Sequence, residues 1–194
     1  MLIDMEKIKL EDLVSEKIFG IPKYHVESGN GTHVQMINIR NLQDGTVVPE
    51  PIENCVVKES WDVDESRVAR GDVLISIKGS SFKAAVIDNE TTGLTISPNL
   101  FGIRLNGRLH PEILVAYLNS SDGQKELMKL ARGTVVNALS ISNLLRLSVP
   151  VPPVQTQEVL RVYLGAVREY TKLTRKETTL IEKITATILQ ENLR

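Results

Sequence analysis

A chain of 194 residues that is 42% hydrophobic and 24% charged has room for one ordinary domain plus an appendage, or for two small domains, and reads as a globular protein rather than a disordered one. A net charge of −1 gives no overall electrostatic case for a polyanionic partner. One cysteine, Cys55, excludes an internal disulfide framework, and charges run through MLIDMEKIKLEDL with no apolar run of about 18 residues anywhere, which excludes a signal peptide and a membrane span and points to the cytoplasm.

Charge is uneven along the chain. Residues 1–65 hold 6 Lys/Arg against 13 Asp/Glu, residues 66–153 hold 10 against 6, and residues 154–194 hold 7 against 5. The middle is therefore the basic part, although ordinary variation along a globular chain would explain as much.

Short strand-like runs separated by turn signals dominate residues 1 to about 150. His33–Ile39 alternates apolar and polar positions, and NLQDGTVV follows with an Asp-Gly hairpin turn at Asp44–Gly45. Val73–Ile77 (VLISI) reads as a buried strand, KGSSFK as a turn, and Ala84–Ile87 as the hairpin partner. Leu94–Ile96 and Leu100–Leu105 flank a Ser97-Pro98-Asn99 turn. Pro111–Ser120 then reads as a helix with proline in its first turn, and Gln124–Ala131 as another with Leu127, Leu130 and Ala131 three and four apart. Arg132-Gly133-Thr134 breaks that pattern, and SISNLLRLSVPVP leads out. The absence of βαβ alternation predicts an α+β fold with mostly antiparallel strands.

Pro150, Pro152 and Pro153 close this body. From Val154 onward there is one glycine and no proline. Val159, Tyr163, Ala166, Tyr170, Leu173, Glu177, Leu180, Ile184 and Thr187 step alternately by four and three, a coiled-coil seam polar only at Glu177 and Thr187. The helix would be roughly 55 Å long at about 1.5 Å per residue, so much of its apolar stripe must meet something beyond its own body. The competing reading is a helix folded back on its own domain.

Enzyme motifs fare poorly. Ser80-Ser81-Phe82-Lys83 contains S-x-x-K, but it falls in a turn between strands rather than at a helix start, and no K-T-G follows. KGSSFK lacks the G-x-x-x-x-G-K of a phosphate loop. His25, His33 and His110 are scattered and Cys55 has no C-x-x-C partner, so no metal site is expected. The carboxylates of WDVDES suit a solvated acidic loop. What remains is a set of polar, partly basic turns at Lys78–Lys83, Thr91–Asn99 and Arg132–Asn137, where backbone N–H groups and cations could meet phosphates and Asn could read base edges.

The order of these features resembles the specificity subunit of type I restriction-modification systems. That family shows a G-D-[IV]-L strand followed by a glycine-containing turn, a G-[ST] loop leading to L-S-x-x-x-L, and an apolar strand ending in P-x-P-P-x-x-x-Q before a helix. The counterparts here are Gly71-Asp72-Val73-Leu74, Gly79, Gly133-Thr134, Leu139-Ser140, Leu144, Pro150, Pro152, Pro153 and Gln157. Thr156 departs from the acidic residue that often precedes the glutamine. The resemblance implies a DNA target-recognition domain over 1–150 and a spacer, dimerisation and methyltransferase-docking helix over 151–194. It implies a non-catalytic subunit that reads half of a bipartite site in double-stranded DNA. S-adenosylmethionine, ATP and Mg would belong to partner methyltransferase and restriction subunits, and no cofactor or metal to this chain. One recognition domain and one helix suggest a half-subunit acting as a homodimer, or a fragment of a longer subunit. Candidate DNA contacts are Arg40, Asn41, Lys78, Ser80, Ser81, Lys83, Arg132, Thr134 and Asn137. Candidate dimer contacts are Val159, Tyr163, Ala166, Tyr170, Leu173, Leu180 and Ile184. The alternatives are a protein-interaction module that dimerises through its tail and binds no DNA, and a serine acyl-enzyme.

Overall fold

The computed structural model describes residues 5–27, 30–49, 51–79, 81–131 and 138–192. In chain order its strands and helices are β1 (Glu6–Lys9), β2 (Val14–Phe19), β3 (Val26–Glu27), β4 (Thr32–Ile37), β5 (Leu42–Gln43), β6 (Thr46–Val47), β7 (Glu53–Val57), β8 (Val73–Ser76), β9 (Ala84–Val86), β10 (Thr95–Ile96), β11 (Leu100–Leu105), α1 (Pro111–Asn119), α2 (Ser121–Leu130), α3 (Ile141–Leu145), β12 (Ser148–Val151) and α4 (Val154–Asn192). Short 3₁₀ turns join several of them.

The predicted strands are present, with ends displaced by a residue or two. The fold is α+β, and of the nine strand pairings among the described residues only β4–β10 and β6–β9 are parallel. Asp44 and Gly45 have φ of 50° and 75°, the conformation an Asp-Gly hairpin turn requires, and join β5 to β6.

A six-stranded sheet in the order β2-β11-β8-β9-β6-β5 is the centre of the head. Val73, Ile75, Phe101 and Ile103 point to a core shared with α1, α2 and α3, while Leu74, Ile18 and Leu100 point to a second cluster on the opposite face. Both faces are covered, so β8 is apolar almost throughout rather than alternating. A four-stranded sheet, β10-β4-β7-β3, encloses a smaller cluster of Ile21, Val34, Met36, Cys55 and Val57.

No local pattern announces the third sheet. β1 pairs antiparallel with β12, Ile8 opposite Val149 and Lys7 opposite Pro150. The chain's first strand thus clasps its last one just before the helix begins. Pro150 is tolerated because this sheet has only two strands, both of them edges. α3 was also unforeseen. Ser140 caps it by accepting a hydrogen bond from the Asn143 N–H at 3.2 Å, and Leu139 and Leu144 enter the main core.

Candidate functional site

Two of the polar segments singled out in the sequence, Lys78–Lys83 and Thr91–Asn99, come together at Ile77–Lys78, with Ala138–Leu139 alongside. The Ile77 N–H donates to the Asn99 carbonyl at 3.0 Å, and the Leu139 N–H donates to the Ile77 carbonyl at 2.9 Å. Lys78 forms an antiparallel bridge with Ala138. The start of the Lys78–Lys83 turn therefore lies between the Ser97–Asn99 turn and the segment entering α3. A further bond, from the Ser97 N–H to the Ile37 carbonyl at 2.9 Å, ties the end of β4 to the same row. This stitching is entirely between main-chain groups distant in sequence.

Lys78, Ser81 and Lys83 are exposed. The Lys83 backbone is fixed across the hairpin, its N–H donating to Ser76 Oγ at 2.8 Å and its carbonyl accepting from the Ser76 N–H at 2.8 Å. Lys83 also lines the crevice beside α4. Arg40 is exposed and 3.9 Å from Glu53. Ser80, Arg132, Thr134 and Asn137 lie outside the described residues.

Asn41 must be removed from the candidate readers. It is 1% exposed, and its carboxamide is consumed by the backbone. Its Oδ1 accepts from the Asn38 N–H at 2.8 Å, and its Nδ2 donates to the carbonyls of Val48 and Pro51 at 2.8 and 3.1 Å. An amide with these bonds holds the 38–51 loop and has nothing left for a base edge.

The motif residues turn out to be framework. Asp72 is fully buried, receives the Ala69 N–H at 2.7 Å, and takes a two-pronged contact from Arg104, Nε to Oδ1 at 2.8 Å and Nη2 to Oδ2 at 3.0 Å. Arg104 also pairs with Glu16. These hydrogen bonds, that to Asp72 foremost, hold the guanidinium proton more tightly than usual.

At the joint, the Pro153 carbonyl accepts the Gln157 N–H at 2.9 Å. Pro153 is thus the helix cap, directly before the first turn at Val154. Gln157 is 3% exposed. Its Nε2 donates to the carbonyls of Pro152 and Arg108 at 2.9 and 3.0 Å, and its Oε1 accepts from the His110 N–H at 3.2 Å. One side chain therefore ties the helix base to the strand before it and to the segment leading into α1. Glu158 reinforces the spot with His110 at 3.2 Å and Arg161 at 3.0 Å, both of which hold its carboxyl below the usual range, Arg161 first.

α4 has two opposed faces. Leu160 and Leu164 pack on the main core, and the stripe continues through Arg168, Lys172 and Arg175 toward the head. Val159, Tyr163, Ala166, Tyr170, Leu173, Leu180 and Ile184 point the other way, about half a turn round at 3.6 residues per turn, and all are exposed. Residues 180–192 are exposed without exception. One face of the helix lies back along its own head, while the seam residues of the other face are exposed among the described residues.

Among the described residues no His/Cys/Asp/Glu group could hold a metal ion, and no helix is long and apolar enough to cross a membrane.

The family model described as the type I restriction modification DNA specificity domain matches residues 3–183. Three solved structures share the fold. The first, a chain from the structural basis underlying complex assembly and conformational transition of the type I R-M system, is 18% identical with a TM-score of 0.63, over 97% of this chain and 48% of that one. The HsdS subunit from Thermoanaerobacter tengcongensis is 18% identical with a TM-score of 0.61, over 96% and 48%. The type-I restriction-modification system S subunit from M. genitalium is 18% identical with a TM-score of 0.57, over 93% and 42%. The chain spans about half the length of each of these proteins. No curated protein matches it.

Proposed function

The chain belongs to the family of type I restriction-modification DNA specificity domains, and from that premise we propose that it is a non-catalytic, cytoplasmic subunit that reads one half of a bipartite site in double-stranded DNA. The head selects the sequence. The rod spaces two heads and docks methyltransferase subunits, and restriction subunits where these are present. S-adenosylmethionine, ATP and Mg act on those partners. Two copies pair through Val159, Tyr163, Ala166, Tyr170, Leu173, Leu180 and Ile184.

The observation that carries the reading is the row of main-chain bonds joining Ser97–Asn99, Ile77–Lys78 and Ala138–Leu139. A duplex is read by several short segments presented together, and phosphate contacts from neighbouring cations set their register. Lys78 is central to that row. Ser80, Ser81, Lys83, Arg132, Thr134, Asn137 and Arg40 are the further proposed contacts, with backbone N–H groups of the turns available to phosphates.

The test is duplex binding by fluorescence anisotropy across a salt series. The affinity of the wild-type chain should fall steeply as salt rises, and Lys78→Gln should weaken binding and flatten the log–log slope by about 1 for the lost phosphate contact. A wild-type chain with no salt-dependent binding to any duplex would instead favour a protein-interaction module.

A further inference from the structure

Leu164 is the last apolar residue of the rod packed on the main core. Beyond it, head and rod flank two crevices of about 580 and 420 Å³. What crosses from rod to head there is charge. Arg168 reaches Glu112 of α1 at 3.4 Å. Lys172 reaches Asp88 at 3.2 Å and Glu90 at 2.9 Å, in the loop after β9. Arg175 pairs with Asp44 in the β5–β6 turn, and Lys176 stands 4.0 Å from Glu90.

These cations are unlike ordinary surface ones. The side chains of Arg168, Lys172 and Arg175 are only 24–25% exposed, and Arg168 Nη1 is buried with no hydrogen-bond partner. They sit 11 to 18 residues beyond Gln157, which is about 17 to 27 Å along the helix axis. Their partners belong to three separate parts of the head: a helix, a loop and a hairpin turn. A staple at the base of a long lever fixes where it starts but leaves its far end free to swing. Lateral contacts at this distance from the base remove that freedom.

We propose that Arg168, Lys172 and Arg175 are positioning residues forming an electrostatic brace that holds the rod at one angle to the head, and that counter-ions release it. Apolar packing would not loosen as salt rises. The carboxylates of Asp44 and Glu90 are 67% and 53% exposed, so counter-ions reach the pairs they make with Arg175 and Lys172, and the Debye length falls from about 30 Å at 0.01 M to about 3 Å at 1 M. The brace is a property of the chain itself and stands whether or not the head reads DNA. Where it does, brace and Gln157 staple together set the spacing between two heads.

The experiment places spin labels at Lys125→Cys on α2 and Glu182→Cys on the projecting rod, both exposed positions. The native Cys55 stays unlabelled, since burial, with help from Glu53, pushes its thiol up to about 11. Labelled chain is diluted into an excess of unlabelled chain, so that only distances within one chain are read. The wild-type distance distribution should be narrow at 0.01 M salt and broaden steadily toward 1 M. R168Q/K172Q/R175Q should be broad at every salt concentration, with the helix retained because Gln is a good helix former. R168E should broaden the distribution and E112R/R168E should narrow it again, which lost packing alone would not produce. The wild-type salt series needs no substitution in the brace, so misfolding of a variant does not blunt the test. An identical distribution at 0.01 and 1 M, matched by the triple variant, would overturn the brace.

Discussion

A carboxylate removed from water costs several kcal/mol unless something answers its charge and its lone pairs, and Asp72 has both answered. Arg104 grips both of its oxygens and the Ala69 N–H bonds one of them, at the mouth of a strand buried at every residue. Asp72→Asn keeps the shape but removes the charge and turns an NH2 group toward a donor. It should cost about 2–3 kcal/mol, seen as a melting temperature lower by about 5–10 °C for a chain of this size. An unchanged melting curve would mean that Arg104 turns wholly to Glu16 and Asp72 is satisfied by the backbone. The same logic separates Asn41 from the other proposed readers. By residue type alone it is as good a base reader as any asparagine, and what disqualifies it is three bonds to backbone groups at Asn38, Val48 and Pro51. Burial and partners are set by the fold, so composition and spacing could not have excluded it. Gln157 is the opposite case, because the P-x-P-P-x-x-x-Q spacing itself puts a carboxamide in the first turn of the helix, within reach of the Pro152 carbonyl.

At the scale of elements, locally encoded features were legible and long-range pairings were not. The Asp44–Gly45 turn, the α1 start at Pro111 and the rod's seam each follow from residues a few positions apart. The β1–β12 clasp joins residues about 140 positions apart, and nothing in EKIK announces it. The meeting of the Lys78–Lys83 and Thr91–Asn99 turns with Ala138–Leu139 at Ile77–Lys78 was illegible for the same reason, although both turns were visible alone. Less visible still is what steadies the Lys78–Lys83 hairpin. Asn119 Oδ1 accepts the Ala84 N–H and its Nδ2 donates to the Ala84 carbonyl, each at 2.9 Å. Gln124 does likewise at Phe82, accepting its N–H at 3.3 Å and donating to its carbonyl at 2.6 Å. Two carboxamides from the helices thus stand in for a neighbouring strand beside residues 82–84, where β6 pairs with β9 only at Thr46–Val86. Asn119→Ala should leave both Ala84 groups short of partners and cost about 1–3 kcal/mol. Hydrogen exchange gives the sharper reading: the Ala84 amide should lose protection while amides in β11 keep theirs. Equal loss across the whole sheet would indicate general destabilisation instead.

For the whole molecule, the balance of the rod's two faces decides what the chain can be in solution. The helix is about 58 Å long at 1.5 Å per residue, and Tyr163, Tyr170, Leu173, Leu180 and Ile184 on its outer face are 51–72% exposed. Ile181, Ile188 and Leu189 extend the apolar surface past the head. Burying one such side chain yields about 1.5–3 kcal/mol, against about 4–15 kcal/mol lost in bringing two bodies together. Five or more from each of two copies cover that cost, while the head-facing stripe of Arg168, Lys172 and Arg175 is already engaged in cis. A two-fold pairing uses the same seam twice, so any substitution in it acts twice. Leu173→Glu with Leu180→Glu would place four carboxylates in the proposed interface, two of them in each copy, and should convert the proposed dimer to a monomer while leaving the melting of the head nearly unchanged. Sedimentation velocity over a wide concentration range reads the first, and thermal melting the second. If the pair of substitutions leaves the sedimentation coefficient of a dimer intact, the seam is not the interface. If the wild-type chain is itself a monomer throughout, the exposed stripe belongs to a different helix, and the heads are paired by that partner rather than by a second copy.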